Sequence, residues 1–150
     1  MRACVLLCDN AQAVMGKLYI MGASWNMTGP DPVTMGIAIQ ILVPWDEANR
    51  QHQFRLQMLT LDGAPAIWPT PAGLGSLDIR GNLETGRPPG LRPGSELPAV
   101  IALNLAGVPL PPGGYEVRLS IDDETNENWR AVFDVRSRPT PPVTQAPPAT

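Results

Sequence analysis

The chain holds one histidine, His52, so any Ser/His/Asp or Cys/His nucleophilic machinery would have to be built around it as the base. Asp46 and Glu47 lie just upstream, where a short helical turn should meet a strand. As metal ligands, Asp46, Glu47 and His52 lack the i, i+4 spacing of a helical site and a fourth donor. His52 therefore reads as a surface or loop-anchoring residue. Asp122, Glu124 and Asn126 recur at every second position, as oxygen ligands do in a calcium loop. The place that loop gives to glycine is Glu127, and the place of its bidentate glutamate is Phe133, so the segment reads as a solvated hairpin tip. The carboxylate pairs Asp46–Glu47 and Asp122–Asp123 fall in turns rather than across a cleft, as glycoside hydrolysis requires. No GxGxxG, Walker or GxSxG pattern is present. The glycines of Gly86–Gly94 are interleaved with prolines, which lack the N–H groups a phosphate cradle needs. Trp25, Trp45, Trp68 and Trp129 are the candidates for a carbohydrate-stacking platform, although aromatics at strand ends usually pack core or rim. The residues assign no catalytic, cofactor or metal site, and the expectation is a protein that is not an enzyme.

Cys4 and Cys8 share one face of a strand about 13 Å apart, too far for a disulfide, and read as buried free thiols of a reducing compartment. The 150 residues include 18 prolines and 14 glycines, which nearly excludes a helical bundle. Eleven basic against fourteen acidic side chains give a net charge of −3, which argues against nucleic acid as the main partner. No apolar run approaches the roughly 20 residues of a membrane helix. The apolar opening Met1–Cys8 stops at Asp9-Asn10, too early for a secretion signal. Cytoplasm or a virion is the expected location.

The elements that must position these residues are strands. Eight are expected, over 3–8, 17–25, 35–43, 52–61, 77–84, 99–105, 115–122 and 129–135, separated by turn chemistry at the spacing of a sandwich or barrel. Ile37, Ile39 and Ile41 alternate cleanly, as do Phe54, Leu56 and Met58. Gly81 is marked as a possible bulge, and Ala99–Leu105, weakly alternating, reads as a central strand. Pro44–Arg50 reads as one helical turn with an Asp46–Arg50 pair. Gly29–Pro32 is a rigid turn, Ala64–Gly75 and Gly86–Gly94 are loops, and Asp123–Asn128 is an acidic connection within the most secure hairpin. The fold class is all-β: a single antiparallel sandwich, jelly-roll or immunoglobulin-like, over residues 1–136. Residues 137–150 form an extended Pro-rich tail that cannot bury enough surface to fold alone.

Leu6-Leu7-Cys8-Asp9 with Gly16-Lys17-Leu18-Tyr19-Ile20, then Val43-Pro44-Trp45-Asp46-Glu47-Ala48-Asn49-Arg50, and Leu110-Pro111-Pro112-Gly113-Gly114-Tyr115, resemble a small bacterial or phage family of unknown function. The resemblance spans roughly residues 1–136 and implies an all-β domain without any transferable activity. The expected role is a non-enzymatic structural or interaction module within a larger assembly. Its partners would be other protein subunits, copies of itself or a capsid shell, as for a phage capsid decoration or minor capsid protein. Pro139, Pro141, Pro142, Val143, Pro147 and Pro148 are the candidate partner-binding residues. The alternative is a small-ligand or carbohydrate-binding module.

Overall fold

The computed structural model describes residues 1–149 and is all-β, with twelve strands in chain order. They are β1 (Arg2–Cys8), β2 (Asn10–Val14), β3 (Lys17–Met21), β4 (Met27–Thr28), β5 (Val33–Val43) and β6 (His52–Thr60). There follow β7 (Trp68–Thr70), β8 (Gly73–Gly75), β9 (Asp78–Leu83), β10 (Leu97–Val108), β11 (Gly113–Ile121) and β12 (Glu124–Val135). One sheet has the order β1-β5-β10 and the other β4-β12-β11-β6-β9. Neighbours run antiparallel except β4, which lies parallel to β12. The apolar faces of the two sheets share one core, as in a sandwich. Ile37, Ile39 and Ile41 of β5 meet Leu56 and Met58 of β6, Val117 and Leu119 of β11 and Phe133 of β12, all nearly or fully buried. The period-two alternation thus does what it implied: one face of each strand leaves water.

A third layer was not legible beforehand. The β2–β3 hairpin folds over the outer face of the three-stranded sheet, where Ala11, Leu18 and Ile20 cover Leu6, Cys8, Ala38 and Ala102. Asn104 fastens it, its amide donating to the Ala11 carbonyl at 2.8 Å and its carbonyl accepting the Ala11 N–H at 3.0 Å. Gly36 makes the close approach possible, since a Cβ there would come within 2.8 Å of Cys8 Sγ and 3.1 Å of the Ala11 nitrogen. The hairpin covers only the Cys8 end of β1, so Cys8 is buried and Cys4, expected to be buried, is exposed.

Five further expectations are corrected. Ala99–Leu105 lies within an edge strand, because β10 pairs with β5 alone. Its apolar character on both faces comes from the core beneath and the hairpin above. Gly81 is not a bulge, for β6 and β9 keep unbroken register from His52–Leu83 to Gln57–Asp78. The glycine leaves room for the Phe54 ring, whose Cζ would lie 2.7 Å from a Cβ. Within Ala64–Gly75, β7 and β8 form a small hairpin. The acidic connection is mostly strand, since Asp122 and Asp123, with φ of 51° and 62°, make a two-residue turn and β12 starts at Glu124. The turn after Pro44 is a 3-10 turn, Trp45–Glu47. Arg50 sits 4.0 Å from Glu47 rather than pairing with Asp46. No helix among the described residues is long and apolar enough to cross a membrane.

Candidate functional site

His52 opens β6, and the structure joins it to two residues distant in different ways. Its Nδ1 lies 2.7 Å from Asp122 Oδ2, seventy positions away, and its Nε2 lies 3.0 Å from the Glu47 carbonyl oxygen. The other Asp122 oxygen accepts the Gln53 N–H at 2.9 Å, and the Asp122 N–H donates to the Gln53 carbonyl at 2.7 Å. The knot ties the 3-10 turn, the start of β6 and the β11–β12 turn together at one end of the sandwich. Both ring nitrogens face acceptors, a geometry only the imidazolium satisfies with two donors. Burial works against that charge, but the Asp122 carboxylate and the Glu47 carbonyl outweigh it and hold the His52 pKa above its ordinary value. The hydrogen bond from His52 in turn holds Asp122 below the usual carboxylate range, against a smaller opposing effect of burial. With both nitrogens engaged, His52 is a buried loop anchor and not a surface residue, with the Glu47 carbonyl rather than its carboxylate as partner. Asp46 stays exposed outside the knot.

The calcium-like triplet is not brought together as a ligand set. Asp122 belongs to the knot, Glu124 pairs with Ile121 in the ladder, and Asn126 Oδ1 accepts the Asn128 N–H at 2.9 Å. The tryptophans do not form a platform either, because all four pack on the shared core. Trp25 meets Phe133 edge-on at 6.1 Å, Arg87 lies over the Trp45 ring at 4.8 Å, and Trp129 is buried in β12.

The Pro-rich tail leaves from the end of β12. Arg136 donates to the Gly29 carbonyl at 2.6 Å, and Arg138 donates to the Asp31 carbonyl at 2.9 Å and pairs with its carboxylate at 3.3 Å. These bonds root the arm on the Gly29–Pro32 turn. Beyond them Pro139, Pro141, Pro142, Val143, Pro147 and Pro148 are all exposed, outside any strand, and Val143 is 87% exposed.

Sequence reasoning missed a polar groove of about 370 Å³ on the outer face of the five-stranded sheet. Gln53, Arg55, Arg80, Asn82, Ser120 and Asp123 line it. Arg55 is held by a two-pronged pair with Asp78 at 2.8 and 2.7 Å, whereas Arg80, directly opposite Arg55 in register, has no ion-pair partner among the described residues. The available signal was the outward alternation of Gln53 and Arg55 along β6, together with Arg80 and Asn82 along β9.

Residues 3–135 match the family described as "Family of unknown function (DUF6941)", and the chain belongs to that family. The match covers the sandwich and stops where the arm begins. No curated protein matches the chain.

Proposed function

We propose that this member of DUF6941 is a non-enzymatic interaction module, a subunit of a larger protein assembly that docks through its C-terminal arm. The observation that supports the reading is the arm itself. Two arginines fix its root, and from Pro139 onward every described residue is exposed. A proline-rich segment prefers an extended conformation without internal hydrogen bonds, so it loses less entropy on docking than a flexible chain would. The sandwich supplies a fixed mount, and the knotted His52 leaves no free imidazole to act as a base. A viral shell, with this chain as a decoration or minor capsid subunit, is an assembly of the proposed kind.

The test compares the full chain with a chain ending at Arg138, each used as bait in lysate of the source cells. The proposal expects a partner retained by the full chain, lost on truncation, and displaced by a peptide of residues 137–150. A partner held equally by the truncated chain overturns the role of the arm.

The small-ligand reading keeps one specific support, the polar groove around Arg80. Its amide, hydroxyl, guanidinium and carboxylate groups suit hydroxyl- and carboxylate-bearing ligands such as acidic sugars. A glycan panel that binds the native chain but not Arg80→Ala would favour it, and a silent panel would remove it.

A further inference from the structure

The sandwich is open along one side. β1 touches β12 at one margin, and at the other the unpaired edges are β9 and β10. There the inward side chains are incompletely covered. Ile79 is 37% exposed and Ala99, Ile101, Leu103 and Leu105 are half-buried, whereas Ile37, Ile39 and Ile41 on the adjacent strand are fully buried.

Edge strands are ordinarily guarded by charge, proline or a bulge, because their unpaired N–H and C=O groups invite another strand. On β10 the guards stand only at the ends, with Pro98 near the start and a register shift between Leu105 and Val108. Between them, Ala99-Val100-Ile101-Ala102-Leu103-Asn104-Leu105 has no charge, proline or glycine, and no charged residue occurs from Leu97 to Leu110. Pro98 has no N–H and fits an edge strand with its nitrogen turned from the neighbour. By alternation, Val100, Ala102 and Asn104 turn their backbone donors and acceptors outward, away from β5.

We propose that β10 pairs antiparallel with β10 of a second copy, joining two three-stranded sheets into one six-stranded sheet about a two-fold axis. A two-fold contact presents the same patch on both sides, and this edge is self-complementary. Centred on Ile101, the pairing sets Ala99 of each copy against Leu103 of the other, and so closes the open core. A groove of about 570 Å³ at the start of β10, lined in part by Pro88, Leu91, Leu97, Pro98 and Ala99, receives the far end of the incoming strand. The arm is not the occupant, since five prolines in residues 139–148 remove the donors a ladder needs.

The test is sedimentation equilibrium of the full chain up to about 100 μM, a range that captures micromolar association. A dimer is expected. Val100 faces outward and belongs to neither buried cluster, so Val100→Lys should fold with an unchanged circular dichroism spectrum. It should weaken the dimer at least tenfold, while Val100→Thr retains it. Hydrogen exchange should protect the Val100 and Asn104 amides in the dimer and release them in Val100→Lys. A wild-type chain monomeric across the range overturns the proposal, and so does a dimer indifferent to Val100→Lys. Truncation at Arg138 should leave the dimer intact, so the arm and this edge fail independently.

Discussion

Replacing His52 by alanine should destabilise the domain in a pH-dependent way. The side chain is buried, 4% of the residue being exposed, and the imidazolium donates to both Asp122 and the Glu47 carbonyl. Hydrogen bonds involving a charged group contribute about 1.5–3 kcal/mol each. The Asp122 side chain is 50% exposed, which screens its bond and puts it at the low end. Loss of both bonds, with some water reaching the Glu47 carbonyl, gives roughly 2–4 kcal/mol near pH 6. For a chain of this size that lowers the melting temperature by about 5–12 °C.

The pH dependence has a definite sign. The folded pKa of His52 is raised, so its contribution is complete below the unfolded value of about 6.5 and is lost as pH climbs through the folded value. The neutral ring has one N–H for two acceptors, and one contact turns repulsive. Asp122, whose folded pKa is depressed, adds stability above its unfolded value that is lost as pH falls through the folded one. Urea unfolding of the wild type and His52→Ala from acid to mildly alkaline pH is the assay. The chain has no other histidine, so the difference between the two curves isolates this group from the α-amino terminus. The gap between the two stabilities should narrow as pH rises through the folded pKa of His52. Parallel curves would refute the doubly donating histidine.

Three further predictions concern the covering hairpin. Met15 sits at its tip with φ of 50° beside Gly16 at 74° and is 94% exposed, so Met15→Asn should raise stability by about 0.5–1 kcal/mol in thermal unfolding. Gly36→Ala should cost about 1–3 kcal/mol, because its Cβ would press on Cys8, Asn104 and the Ala11 backbone, and Cys8 should then react faster with a thiol reagent. Asn104→Leu removes both bonds to Ala11, a residue 1% exposed, and should cost about 2–3 kcal/mol and speed amide exchange across β2 and β3 before the rest of the fold.

These positions also show why part of the molecule was legible in its residues and part was not. Every long strand with one buried face announced itself, because burial on a pleated ribbon demands alternation and β5 and β6 supply it. Within the covering hairpin β3 falls in the strand expected over 17–25, ending at Met21, but β2 left no such mark. Asn10–Val14 is polar or small, since it packs on alanines through Ala11, and its turn carries methionine where Asn or Asp would signal positive φ. β10 misled for a related reason. A strand with a core on one face and a hairpin on the other has the composition of a central strand while remaining at an edge. Residue spacing read His52 as a surface or loop-anchoring residue beside Asp46 and Glu47 and missed Asp122, because that bond spans seventy positions and depends on β11 lying next to β6. Local chemistry therefore names which residues lose water, and topology decides what they meet. At β10 the two separate. The core and the hairpin account for the apolar character of its two faces. Its outer edge stays unpaired in the single chain, and that edge, not the composition, is what the proposed second copy would pair with.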